Sequence, residues 1–290
     1  MKKLLMWNLK NMKTRFRHIY LEITNICNLS CPFCSSDNRQ KEYMRIEDFK
    51  KYALMCKEYT NSLYLHIKGE PLMHPHLVAF LDYLKEIDMK VKLTTNGDFI
   101  SKYQDILLNY SNILRINISL QSLITKELKD VEKYLNNLVT FLDQASIKGA
   151  TSISLRLWND KEDLKVTEYN NYIKQFLKDY YHQEFLDSKA LIPHVYGSIE
   201  DKFTWPSEER TDNLERTKCL GGSTHIGILV NGDVVLCCLD SSGQTTLGNL
   251  KEEPLSKIVE SNFFNQVVSD LKNGKPSFDI CKKCTYRNRF

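Results

Sequence analysis

The sequence predicts an α/β fold: a parallel sheet curled into an open, incomplete barrel, followed by a small α+β C-terminal domain. Three features carry that reading. Strand-like and helical stretches alternate through the first 200 residues, the order that builds parallel sheets and barrels. Most of the strand-like stretches have one apolar and one polar face. Past residue 200 the alternation stops, giving way to polar, irregular sequence, a hairpin signal and closely spaced cysteines.

Strands are expected near 18–24, 62–68, 90–96, 113–121, 151–158 and 190–196, and helices near 46–59, 76–88, 100–110, 125–148 and 163–181. The fourth helix is the best marked. Thr125 is its candidate N-cap, Leu128, Val131, Leu135, Leu138 and Leu142 form an apolar stripe, and Gly149 closes it. Successive strand residues point to opposite faces. Ile19, Leu21 and Ile23, then Leu63, Leu65 and Ile67, Ile116, Ile118 and Leu120, and Ile153, Leu155 and Leu157 make the face that must meet the helices. The other face carries Tyr20, Glu22 and Thr24, then Tyr64, His66 and Lys68, Lys92, Thr94 and Asn96, Asn117, Ser119 and Gln121, and Ser152, Ser154 and Arg156. A doubly wound sheet is apolar on both faces, and a closed eight-stranded barrel fills its lumen with aliphatic side chains. A polar lumen therefore implies a cavity that holds solvent and ligand. Beyond the irregular stretch 197–218, Asn231-Gly232 lies between the strand-like runs Thr224–Val230 and Asp233–Cys238, a strong hairpin signature. A helix is expected near 254–272, and Cys281 and Cys284 close the chain.

The 290 residues allow one sizeable core and a smaller satellite, and 42% hydrophobic with 26% charged residues excludes disordered and fibrous classes. No apolar run approaches the roughly 18 residues of a membrane helix. The opening MKKLLMW has too short an apolar run for a secretory signal, so the expected location is cytoplasmic. The first 17 residues carry Lys2, Lys3, Lys10, Lys13, Arg15 and Arg17 with no acid, and Leu5, Leu9, Met12 and Phe16 recur at helical spacing. The expectation there is a basic amphipathic helix capping the barrel, with an acidic or nucleic-acid partner as the competing use. Nine cysteines in short clusters point to metal sites rather than disulfides. Cys56 is the exception, aligned with Ile46, Phe49 and Ala53 as core packing.

Cys27-Asn-Leu-Ser-Cys31-Pro-Phe-Cys34 directly follows the first strand. Three thiolates at this spacing can hold three irons of a cubane and leave the fourth open, whereas a zinc knuckle normally wants four ligands. With Phe33 as the aromatic before the third cysteine, the segment resembles the radical S-adenosylmethionine (SAM) superfamily. So does Gly69-Glu70-Pro71 at the end of the second strand, where Lys68 replaces the first glycine of the family's GGEP motif. Thr94-Thr95-Asn96-Gly97 ends the third strand as in relatives, Ser119 and Gln121 end the fourth, and Arg156 lies on the fifth. The resemblance covers roughly 18–290 and is densest at 18–97 and 219–290. It implies a partial (β/α)6 TIM-like barrel in which Cys27, Cys31 and Cys34 bind a [4Fe–4S] cluster. SAM, chelated to the open iron, is cleaved by one electron to methionine and a 5′-deoxyadenosyl radical. The resemblance further implies that Gly69 and Glu70 hold the SAM amino group, that Phe33 lies near the adenine, that Ser119, Gln121 and Arg156 serve the ribose and carboxylate, and that Asn96 is a further cofactor-binding residue. A reducing partner such as flavodoxin or ferredoxin follows.

Cys219, Cys237, Cys281 and Cys284 resemble the auxiliary-cluster domains called SPASM and, when shortened, twitch. A full SPASM domain uses about seven cysteines. Five are present here, so one second [4Fe–4S] cluster is expected, with a structural zinc as the alternative. Cys238 is left over. As neighbours on a strand, Cys237 and Cys238 are expected on opposite faces, which leaves Cys238 as a spare thiol or a hydrogen-atom donor to a substrate radical. The expected division is 1–17 helix, 18–200 barrel and 201–290 auxiliary domain.

Three enzyme readings follow, with modification of a peptide or protein side chain as the leading one and the other two as alternatives. The tail favours modification of a peptide or protein side chain, although the 26 residues before Cys27 are few for a leader-binding domain. One auxiliary cluster and a polar lumen with His66, Lys68, His194 and Tyr196 favour a dehydrogenase of a small polar molecule such as a sugar or aminocyclitol. The basic N-terminus alone favours nucleic-acid modification, the weakest of the three.

Overall fold

The computed structural model describes residues 15–35, 38–160, 162–206 and 218–289. Residues 1–14 of the expected N-terminal helix lie outside them. The last three, 15–17, are not helical: Phe16 is fully buried and Arg15 lies over the Phe264 ring.

The alternation seen in the sequence becomes β1 (His18–Leu21), α1 (Ile46–Lys57), β2 (Ser62–Tyr64), α2 (Leu77–Glu86), β3 (Lys90–Thr95), α3 (Ile100–Asn109), β4 (Ile113–Ser119), α4 (Leu128–Lys148), β5 (Ser152–Asn159), α5 (Leu164–Tyr181), β6 (Ala190–Ile192) and β7 (Val195–Asp201). The C-terminal part adds β8 (His225–Ile228), β9 (Asp233–Val235), β10 (Thr246–Asn249), α6 (Leu255–Val259), α7 (Asn262–Lys272) and α8 (Asp279–Lys282). One mixed sheet runs β10-β9-β8-β1-β2-β3-β4-β5-β7-β6. Strands β1–β5 and β7 are the six parallel barrel strands, and the sheet ends in β6 and β10 without closing.

Four expectations need correction. The strand expected over 190–196 is two antiparallel strands, because Pro193 cannot donate to a ladder and His194 takes a left-handed backbone (φ 66°). The parallel barrel strand therefore starts at Val195. Thr125 does not cap α4; its hydroxyl bonds to the Ser122 carbonyl, and the N-cap is Glu127. Gly149 does close that helix, with φ 65°. The helix expected over 254–272 breaks at Ser261, whose hydroxyl accepts from the Phe264 N–H and starts α7. The hairpin at Asn231-Gly232 forms as expected, but its third strand, β10, was not foreseen.

Face selection follows the pattern. Ile19, Leu21, Leu63, Ile116, Ile118, Ile153, Leu155 and Leu157 are fully buried in one continuous core with the helices. Cys56 is fully buried there, as core packing requires. On the opposite side, β8 pairs parallel with β1 (His18↔His225, Tyr20↔Gly227), so the C-terminal hairpin extends the barrel wall across residue 200.

One carboxylate holds the three segments at the barrel lip. Glu22, just beyond β1, is fully buried. Its Oε2 accepts from Arg39 Nη1 (2.7 Å) and the Val230 N–H (2.9 Å), and its Oε1 from Arg39 Nη2 (2.9 Å) and the Lys68 N–H (3.0 Å). The bidentate guanidinium compensates the charge, and two backbone donors satisfy the remaining lone pairs. Removing one partner of such a pair leaves the other charge buried. Glu22→Ala is therefore expected to lower unfolding free energy by roughly 3–5 kcal/mol in denaturant titration, far more than an Arg45→Ala change at the exposed Arg45–Glu47 pair.

Candidate active site

The loop that carries the first cysteines is tied back onto its own start. Thr24 Oγ1 donates to the Glu42 carbonyl (2.9 Å), Asn25 Nδ2 to the Gln40 carbonyl (2.8 Å), and Asn25 Oδ1 accepts from the Glu42 N–H (2.9 Å). Within it, Cys27, Cys31 and Cys34 face one cavity of about 790 Å³. Burial pushes the Cys27 thiol up, with Glu70 and Cys34 adding to the effect and the Leu29 N–H opposing it. Burial and then the neighbouring Cys34, Cys27 and Asp98 push Cys31 up to about 12. Three cysteines gathered at one cavity suit a shared polycationic group, because a metal deprotonates its thiol ligands. A [4Fe–4S] cubane fits this donor set, and three ligands leave one iron for a further group.

Around that triad the turns are braced. Asn28 Nδ2 donates to Asp98 Oδ2 (2.7 Å) and Asn96 Nδ2 to Asn28 Oδ1 (2.8 Å), while Lys126 pairs with Asp98 (2.9 Å). Glu70 is buried; Oε1 accepts from the Leu72 N–H and the Thr95 hydroxyl, and Oε2 from the Asn96 N–H at 2.7 Å. Burial raises its carboxyl to about 7, and those three bonds oppose the rise. Its carboxylate thus ties the Gly69-Glu70-Pro71 turn to the end of β3. Gly69 has φ 74°, and a Cβ there would lie 2.4 Å from the Thr24 carbonyl oxygen. No other residue type fits that approach without moving the segment Thr24–Ile26 that leads from β1 into the cysteine loop.

The second cysteine set faces the same cavity: Cys219, Cys237, Cys281 and Cys284 line it, with Arg287 beside them. Burial, then Cys237, raises Cys281, and the same two causes raise Cys284 to about 11. The Gly221 N–H and the buried Arg287 guanidinium oppose the burial that raises Cys219. Arg287 also donates to the Cys281 carbonyl (2.9 Å). Four clustered thiols beside a buried cation and N–H donors fit an iron–sulfur cluster or a zinc.

Cys237 and Cys238 are not on opposite faces. Strand β9 ends at Val235, so both lie in the following turn, and ligand atoms of His225, Cys237 and Cys238 all come within 4.8 Å of one another. The Cys237 thiol and the Tyr20 hydroxyl both bond to Cys238 and lower its pKa against the opposing effect of burial, with Arg156 assisting. The strand-alternation argument failed because it extended the strand three residues too far.

Of the expected lumen residues, Phe33, Asn96, Ser119, Gln121, Arg156, His66 and Lys68 line the cavity. His194 and Tyr196 do not: His194 sits on the exposed β6–β7 turn, and Tyr196 is 38% exposed. Their lumen assignment fails because it followed the misplaced sixth strand. Among the described residues, His66 Nδ1 and Gln121 Oε1 are shielded from solvent with no hydrogen-bond partner, and Arg156 makes no ion pair. By contrast, the cavity-lining acids are occupied: Asp240 by its own loop, Glu200 by Arg289 and Glu70 as above. The sequence reading missed His18, His225, Trp158, Asp98 and Arg287. Their main sequence signal was position beside a strand end or a cysteine.

A cysteine triad at the lip of a ligand-sized, polar-floored half-barrel defines an enzyme of iron–sulfur radical chemistry. Residues 21–141 match the sequence model of the Radical SAM superfamily, and residues 219–285 that of the SPASM iron–sulfur cluster-binding domain. The chain belongs to the radical SAM superfamily, with a C-terminal SPASM domain, and its cofactors are SAM and [4Fe–4S] clusters. The S-adenosyl-L-methionine-dependent 2-deoxy-scyllo-inosamine dehydrogenase of Niallia circulans is 23% identical over 281 residues, 94% of each chain. The GTP 3′,8-cyclase of Synechocystis sp. is 26% identical over 171 residues, 53% of this chain; the chain spans about half the length of that relative (50%). Among solved structures, BtrN in complex with AdoMet and 2-DOIA gives a TM-score of 0.53 at 19% identity over 93% of both chains. Streptococcus suis SuiB bound to precursor peptide SuiA gives 0.52 at 15% over 99% of this chain and 76% of that one. These structural likenesses are likenesses of fold. No helix among the described residues is long and apolar enough to cross a membrane.

Burial, then Arg156 and His18, lowers His66 to about 3, well below the ordinary 6.5. The unfolded chain therefore binds a proton between those values that the folded one does not, and stability falls as pH drops through that window. His66→Gln is expected to lose less stability than the wild type between pH 7 and pH 5 in denaturant titration. Gly69→Ala should fold but lose SAM binding by at least about tenfold in equilibrium dialysis, because the clash with the Thr24–Ile26 backbone displaces the turn.

Proposed function

We propose that this enzyme oxidises a small polar molecule bound between the two cysteine sets. The observation that carries the reading is that both sets open onto one cavity lined by His66, Gln121 and Arg156, where His66 Nδ1 and Gln121 Oε1 lack a hydrogen-bond partner and Arg156 an ion-pair partner among the described residues. Buried polar atoms without partners mark a place where a ligand supplies them. When bound, the triad's cluster and SAM supply a radical that takes hydrogen from a substrate carbon, and a second cluster supplies an acceptor for the remaining electron. Residues 18–200 then form the radical-generating unit, 201–290 the electron-accepting unit, and 1–17 a cap. A low-potential donor such as flavodoxin or ferredoxin serves it.

The residue roles follow the geometry. Cys27, Cys31 and Cys34 hold the first cluster, and Cys219, Cys237, Cys281 and Cys284 the second. Gly69 admits SAM by backbone approach, with Asn96 beside Cys27. Phe33, edge-on to Trp158 at 5.1 Å, offers an aromatic wall for adenine. Ser119 and Gln121 face the ribose, and Arg156 a carboxylate. Glu70 shapes the turn more than it contacts ligand, because its oxygens already accept three bonds. Coverage of 94% of the aminocyclitol dehydrogenase supports a small-molecule substrate.

A peptide or protein side chain is the second reading. An aromatic run from Phe33 through Trp158 and Phe203 to Trp205 and Tyr286 favours it, since such a strip suits an extended chain at the cavity edge. On that reading Cys238, bonded to Tyr20, is the candidate hydrogen-atom donor, and Cys238→Ala would block turnover without removing either cluster.

Anaerobically reconstituted protein with SAM and dithionite should release methionine and 5′-deoxyadenosine. Alanine at Cys27, Cys31 or Cys34 should abolish that release. Iron should measure about eight atoms per chain and fall by half when Cys281 and Cys284 are replaced. Iron of about four atoms with bound zinc would remove the electron-accepting role of the second site.

A further inference from the structure

Lys68 stands where the family motif has glycine, and its side chain crosses to the cysteine loop. Nζ lies 3.2 Å from Cys34 Sγ and 3.2 Å from Ser35 Oγ, and it also donates to the Ser35 carbonyl. The Lys68 N–H is fixed on Glu22 Oε1, so backbone and ammonium are anchored at both ends. No carboxylate pairs with the ammonium among the described residues. Ser35 Oγ lies 2.9 Å from Ser241 Oγ, in the turn that follows Cys237 and Cys238. The contact therefore sits on the wall between the two cysteine sets.

We propose that Lys68 is a positioning residue that raises the reduction potential of the centre held by Cys27, Cys31 and Cys34. This rests on the proposed cluster ligands. A thiolate-bound cluster is anionic, and one-electron reduction adds a further negative charge without a proton. A cation fixed on a ligand sulfur stabilises the reduced state more than the oxidised one, and hydrogen bonds to the sulfurs act in the same direction. Inside a partly enclosed cavity water screens this effect less than at an open surface. A glycine at the same position supplies neither charge nor bond. The electron comes from the low-potential donor already required, so the step needs no further reactant.

The test is an EPR-monitored redox titration of reconstituted full-length protein without SAM, comparing the wild type with Lys68→Met, Lys68→Gln and Lys68→Arg. Methionine and glutamine should shift the midpoint negative. At the wild-type midpoint, the ratio of reduced to oxidised centre should fall about tenfold, which is about 59 mV for one electron. Arginine should stay near the wild type. If the neutral variants keep their iron and titrate at the wild-type midpoint or above it, the proposal is overturned and the cysteine triad stands. If methionine costs iron, glutamine decides, since it retains hydrogen bonding without charge; a wild-type midpoint there leaves Lys68 merely structural and overturns the proposal. A wild-type protein with no reducible cluster signal, or a Cys281→Ala, Cys284→Ala protein whose remaining signal survives alanine at Cys34, overturns the ligand assignment together with it.

Discussion

Four hydrogen bonds converge on the buried carboxylate of Glu22, and the arrangement of the cavity lip depends on them. Each comes from a segment that contributes to the site. Arg39 closes the cysteine loop, the Lys68 N–H begins the Gly69-Glu70-Pro71 turn, and the Val230 N–H belongs to the C-terminal hairpin. None of these segments has regular structure at the point of contact; two of them lie just beyond the ladders that pair β2 and β8 with β1, and Glu22 ties them there to the cysteine loop. A single anion with four directed acceptor sites performs that task at a strand end, where backbone carbonyls alone could not gather donors from three directions. The cost of burying it is offset because both oxygens are fully used.

The sheet works as a partition. Its outer face is aliphatic and packs on the helices, so the strands are rigid. Its inner face is free to carry polar groups because the barrel does not close and the lumen is not needed for packing. The charge arrangement inside is lopsided. Glu70 and Asp240 have their oxygens taken up by the protein's own donors, and Glu200 is paired with Arg289. Arg156 and Lys68 have no carboxylate partner among the described residues. The cavity therefore presents cationic and neutral groups to its contents, which suits anionic cluster ligands and a carboxylate-bearing cofactor together.

Much of this was legible in the sequence, for definable reasons. Period-two alternation located the first five strands, and Gly149 marked the end of α4, because those signals act within a few residues. The cysteine spacings marked, for the same reason, the two cysteine sets that the fold brings to one cavity. The failures were of two kinds. At Pro193-His194 and after Val235 a strand pattern was carried past a backbone reversal, which misplaced His194 and Tyr196 and separated Cys237 from Cys238. Long-range partners were the other kind. Glu22 read as one more lumen residue because its donors lie 17, 46 and 208 residues away in the chain. Arg287 gave no signal, being an ordinary basic residue near the C-terminus until folding buries it against Cys281.

The pairing of β8 with β1 explains how a small C-terminal unit can share a site with the barrel. A separately folded appendage would meet the lumen through a mobile interface, and the distance between two redox groups would vary with it. Here the hairpin is the next strand of the same wall, in fixed register from His18↔His225 to Leu21↔Ile228. The ring of His225 stacks on His18 at 6.0 Å, and its Nε2 lies 3.6 Å from Cys237 Sγ. The second cysteine set is thus referenced to the same strand that ends in Glu22 and the first set. Backbone hydrogen bonds, rather than domain packing, set the separation of the two cysteine sets.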